Sequence, residues 1–125
     1  MKRRILLSMG LSGLLSVSCQ KEEESKEVFL RVKNTSSYQF DSVYVATPGG
    51  THHYGSLRAG QNSAYSAFTE AYSYAYVRVV VNGQRLVWQP IDYVDPTPLQ
   101  SGNYTYEVNV TDLATSQLSI SLAKP

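Results

Sequence analysis

The chain has one cysteine in 125 residues, one tryptophan, two histidines, and no apolar run long enough to cross a bilayer. A single cysteine excludes an internal disulfide and a thiolate-based metal site. The longest apolar run, Ile5 to Val17, falls short of the roughly 20 residues that a membrane-spanning helix needs. Serines are frequent, yet none sits in a Gly-x-Ser-x-Gly elbow, and no glycine-rich phosphate loop follows a strand pattern. The sequence therefore offers no catalytic set and implies no cofactor. Basic residues are also not clustered beyond Arg4, which argues against nucleic acid as a partner.

The one cysteine, Cys19, closes the short apolar run. Ahead of it stand Lys2, Arg3 and Arg4, then Ile5 to Val17 and the small residue Ser18. A basic start, a short apolar stretch and a small residue before the cut describe a secretory signal. The arrangement resembles a bacterial lipoprotein signal. That resemblance implies removal of residues 1–18 and conversion of Cys19 into the first mature residue, carrying diacylglycerol and a further acyl chain such as palmitate. One position departs from the pattern: Ser16 stands where leucine is usual, with Leu15 one place earlier. Cleavage nearby by an ordinary signal peptidase, leaving Cys19 as a thiol, is the competing reading. Each buried methylene contributes about 0.8 kcal/mol and two or more chains anchor stably, so an acylated Cys19 needs no help from the protein.

Gln20 is followed by Lys21, Glu22 and Glu23. A lysine and two acids just past the anchor resemble the export signal of Bacteroidota surface lipoproteins, which implies the outer membrane and its outward leaflet, at the cell surface. Residues 19–26 also read simply as a solvated acidic tether. Without residues 1–18 the chain loses three of its eleven cations and none of its ten acids, leaving eight against ten and a net charge of −2.

From residue 27 to 125 the pattern is β throughout. Val28, Leu30 and Val32 alternate with Phe29, Arg31 and Lys33; Val43 and Val45 define a second strand, stopped by Pro48-Gly49-Gly50. Tyr104, Tyr106, Val108 and Val110 share a face, as do Leu118, Ile120 and Leu122. Such half-polar strands suit antiparallel sheets with one wet face. Asn82-Gly83 predicts a two-residue type I′ hairpin, setting Val81 opposite Gln84, Val79 opposite Leu86 and Val77 opposite Trp88. That register turns Trp88 toward the core and Tyr76, Arg78, Arg85 and Gln89 away from it. Pro90, Pro96 and Pro98 break the chain before the last strands. About seven short strands in one domain predict an immunoglobulin-like or transthyretin-like antiparallel β-sandwich, with an eight-stranded barrel as the alternative.

Tyr54-Gly55-Ser56-Leu57 with Gly60, then Tyr72 to Val77, Gln89 to Val94 and Gly102-Asn103-Tyr104-Thr105-Tyr106 together resemble small Bacteroidota surface lipoproteins. The resemblance spans about Val28 to Leu122. It implies compartment and fold, and contributes no catalytic residues.

Candidate sites each have a plainer reading. His52 and His53 are adjacent, so on a strand they face opposite ways; a polar turn after Gly49-Gly50 is the expectation. Asp92 and Asp95, in a proline-bounded loop, suit calcium, glycoside hydrolysis or ordinary Asx turns. With the histidines they are the basis of an alternative, a small metal-dependent or hydrolytic enzyme. Asp41-Ser42-Val43 fits the Asp-Ser/Thr-apolar pattern of O-glycosylation in exported Bacteroidota proteins, which points to Ser42. Ten tyrosines are the most suggestive feature. Tyr72, Tyr74 and Tyr76 alternate and, with Arg78, form a patch suited to stacking on a glycan or an envelope protein. The competing reading is that tyrosine favours strands.

Overall fold

The computed structural model describes residues 27–90 and 97–123. Alternating apolar residues generate eight strands: β1 (Val28–Asn34), β2 (Ser42–Thr47), β3 (Gly50–His53), β4 (Ser66–Phe68), β5 (Tyr76–Val81), β6 (Gln84–Trp88), β7 (Gly102–Asp112) and β8 (Gln117–Ala123). Among the described residues there is no helix. The strands form two four-stranded sheets, ordered β4-β1-β7-β8 and β3-β2-β5-β6. Their inner faces supply the shared core, so the fold is a β-sandwich and not a closed barrel.

Period two decides which side of each strand is dry. Val28, Leu30 and Val32 of β1 are fully buried, as are Val43 and Val45 of β2, and Val77 and Val79 of β5. Tyr106 is the largest side chain wholly in the core. Its ring fills the space between the sheets, and its hydroxyl donates to the Tyr72 carbonyl at 2.6 Å. That bond satisfies a polar group whose burial would otherwise cost free energy.

The β5–β6 hairpin has the expected register, with Val77 opposite Trp88, Val79 opposite Leu86 and Val81 opposite Gln84. Asn82 and Gly83 both take positive φ, 51° and 78°, as a type I′ turn requires. The Asp41 carboxylate accepts from the Asn82 backbone N–H at 3.0 Å and braces the turn. Trp88 packs against the core but stays half-buried, because β6 is an edge strand and Trp88 is its last residue.

Three features differ from expectation. First, β1 and β7 pair in parallel, Val28 beside Gly102 through Asn34 beside Val108, so the sandwich is not wholly antiparallel. Parallel neighbours need a long crossover, and the chain from β2 through β6 provides it. Secondly, His52 and His53 lie in β3, not in a turn: β2 and β3 form a hairpin pairing Tyr44 with His53 and Val45 with His52. Every β3 side chain is exposed, so the strand adds nothing to the core and its sequence lacks an apolar signature. Thirdly, β4 is a three-residue strand with one buried side chain, Phe68, too short for alternation to register.

Candidate functional site

The outward positions of the β3-β2-β5-β6 sheet gather aromatic and cationic side chains. Pairing sets Tyr44 of β2 beside His53 of β3 on one side and Arg78 of β5 on the other. These three therefore stand in one row across the sheet. The Tyr44 and His53 rings are 4.6 Å apart at 47°, and the Arg78 guanidinium lies 4.5 Å from the Tyr44 ring centroid. Tyr76, two residues before Arg78, meets Tyr44 edge-on at 6.1 Å and 77°. Edge-on rings and a cation over a ring face are both favourable arrangements of the aromatic quadrupole. Tyr44, Tyr76 and Arg78 are half-buried among one another, whereas His53 is exposed.

Of the expected patch, Tyr76 and Arg78 share this face. Tyr72 and Tyr74 precede β5, in a segment outside the ladder, so the alternation does not reach them. The backbone there bonds elsewhere: the Leu99 N–H donates to the Ala71 carbonyl at 2.8 Å, and the Tyr106 hydroxyl takes the Tyr72 carbonyl. The Tyr72 hydroxyl donates to the Glu70 carboxylate. Tyr74 packs against Trp88, ring centroids 5.9 Å apart, and the register partner of Trp88, Val77, faces the core. Sequence reasoning misses Tyr44 and His53 as members. For Tyr44 a signal exists, since it sits between the inward Val43 and Val45; what a single sequence withholds is which strands are neighbours.

The two histidines point to opposite sides of β3, as adjacency requires. His53 contacts Tyr44, and His52 contacts Tyr54 edge-on at 4.6 Å. They cannot both ligate one ion from these positions. Among the described residues, no three of His, Cys, Asp and Glu are gathered as metal ligands, and no pocket opens. Asp92 and Asp95 lie outside the described residues, as do Cys19, Lys21, Glu22 and Glu23. No helix among the described residues is long and apolar enough to cross a membrane. Ser42 is exposed at the first position of β2.

Tyr54 serves the fold more than the surface. Its hydroxyl crosses from the β2–β3 side of the sandwich to donate to the Leu30 carbonyl of β1 at 2.7 Å, and burial pushes its phenol pKa above the ordinary tyrosine range.

The described architecture defines the chain as an eight-stranded β-sandwich protein. It is similar to a protein from Eubacterium rectale solved by NMR, with a TM-score of 0.56 over 81% of this chain and 94% of that one, at 11% identity. At that identity the likeness shows a shared fold alone. No family model matches the chain, and no match was found among curated proteins.

Proposed function

We propose that this protein is a lipid-anchored envelope protein, displayed at the cell surface of the outer membrane, whose β-sandwich is a non-catalytic binding module. The observation that carries the binding half is the Tyr44, His53, Tyr76 and Arg78 cluster on one outer sheet face. Rigid aromatic side chains lose little entropy on contact, and together with arginine they dominate recognition surfaces. A folded sheet holds them in place before any partner arrives, which lowers the cost of binding. The address rests on Cys19 at the end of its apolar run and on Lys21-Glu22-Glu23. The partner is a glycan or an envelope protein.

Capture from intact cells tests the module. Full-length protein should retain a partner that the Tyr44→Ala/Arg78→Ala double variant releases. Equal capture by both would remove this face from consideration.

A further inference from the structure

We infer that the outer face of the β3-β2-β5-β6 sheet binds carboxylated sugars, with Arg78 as the residue that takes the acid. The inference rests on the reading that this face is the binding surface, and it names the ligand class. Charge is the first ground. The outward strand positions of this sheet hold two arginines, Arg78 and Arg85, and no aspartate or glutamate. The opposite sheet differs, because there Lys33 stands beside Glu107 in register. Arg85 pairs with Val80 and Arg78 with Val87, so the backbones of the two arginines are diagonal neighbours across the hairpin, about 7–8 Å apart, with the Arg78 guanidinium leaning toward β2 over Tyr44. A chain of repeating acidic units can meet both.

Geometry is the second ground. A guanidinium lying on a ring keeps its N–H edge available in its own plane, where a carboxylate can accept two parallel hydrogen bonds. The Arg78 guanidinium carbon sits over the Tyr44 ring, 4.5 Å from its centroid, and His53 flanks the same ring. Tyr44 is thus a positioning residue and Arg78 the contact.

Sugar is favoured over an acidic peptide by the shape of the face. β2 and β5 are interior strands, hydrogen-bonded on both sides, so an extended peptide finds no free backbone edge there. With Arg78 and His53 against the Tyr44 ring, the sugar-stacking role falls to Tyr76, since a phenol has a flat apolar body and a hydroxyl that match the C–H face and hydroxyls of a pyranose.

The test uses full-length protein carrying its anchor, in detergent, against glycans of glucuronic, galacturonic and sialic acids. Their carboxyl-reduced counterparts and a polyglutamate peptide complete the panel. Acidic glycans should bind, and their reduced forms should bind at least about tenfold more weakly. Arg78→Lys keeps the charge but loses the fork, and should show a similar loss with an unchanged thermal midpoint. Arg31→Lys, on the opposite sheet, should bind as wild type. Reduced glycans binding equally well, still dependent on Arg78, would overturn the ligand class and leave the binding face standing. Preference for polyglutamate would overturn it in favour of an acidic peptide. Absence of any glycan binding would also overturn it. Partner capture unchanged by the Tyr44→Ala/Arg78→Ala double variant would instead bring down the underlying reading.

Discussion

Asn34 is fully buried at the end of β1, and both ends of its amide are used. Its nitrogen donates to the Tyr38 and Leu57 carbonyls at 2.7 and 3.1 Å. Its oxygen accepts from the Ser36 N–H at 2.9 Å and from the Ser36 hydroxyl at 2.6 Å. These bonds fix the start of the loop that leaves β1, and the fully buried Phe40 fixes its end. Asn34→Leu leaves the buried Ser36 N–H without its acceptor, which should cost about 2 kcal/mol. A lower urea midpoint at unchanged slope would register that loss. Tyr54 makes a second test at this scale. Its folded phenol holds its proton more tightly than the unfolded one. The stability this confers is complete below about pH 10 and is lost as pH rises beyond it, by up to about 1.4 kcal/mol per pH unit. Tyr54→Phe should cost about 1 kcal/mol at neutral pH and show a shallower alkaline fall than wild type in denaturant titrations.

At the scale of elements, two glycines are required for different reasons. Gly83 has φ 78°, and a Cβ added there would meet only open space, so backbone conformation alone selects it. Gly49 is selected by proximity: a Cβ there would sit 2.1 Å from the Glu70 backbone nitrogen and 2.6 Å from its oxygen. The β2–β3 turn packs on the chain leaving β4 at that point. The Thr47 hydroxyl donates to the Glu70 carbonyl at 2.8 Å, and the Thr69 N–H donates to the Gly49 carbonyl at 3.3 Å. Backbone cannot step aside as a flexible side chain can. Gly49→Ala should therefore cost about 1–3 kcal/mol, and Gly83→Ala about 1 kcal/mol. Thermal unfolding of the two variants should rank them in that order. The same contrast explains what is legible in the sequence. Asn82-Gly83 announces its turn locally, and the hairpin register follows from it. β3 and β4 carry no local announcement, because Gly49, Thr47 and Thr69 hold them through contacts distant in sequence. On the candidate face, alternation correctly turns Tyr76 and Arg78 outward. It cannot bring Tyr44 and His53 to them, since that depends on β2 lying between β3 and β5. It also fails for Tyr72 and Tyr74, whose segment gives its carbonyls to Leu99 and Tyr106 instead of a neighbouring strand.

For the whole molecule, the proposed anchor at Cys19 and a domain beginning with β1 at Val28 would leave only a short tether between lipid and sheet. In the proposed arrangement the domain sits close to the membrane, with its ligand arriving from the medium. Protease added to whole cells should then remove the wild-type domain. Changing Lys21, Glu22 and Glu23 together to alanine should leave it anchored and protected, while Cys19→Ser should abolish labelling by radioactive palmitate.

The binding face itself is open to direct mapping. Isotope-labelled protein titrated with the partner captured from cells should show chemical-shift changes concentrated at Tyr44, His53, Tyr76 and Arg78, with Arg31, Lys33 and Thr105 unmoved. Changes centred on those last three residues, and none at the first four, would refute the proposed binding face.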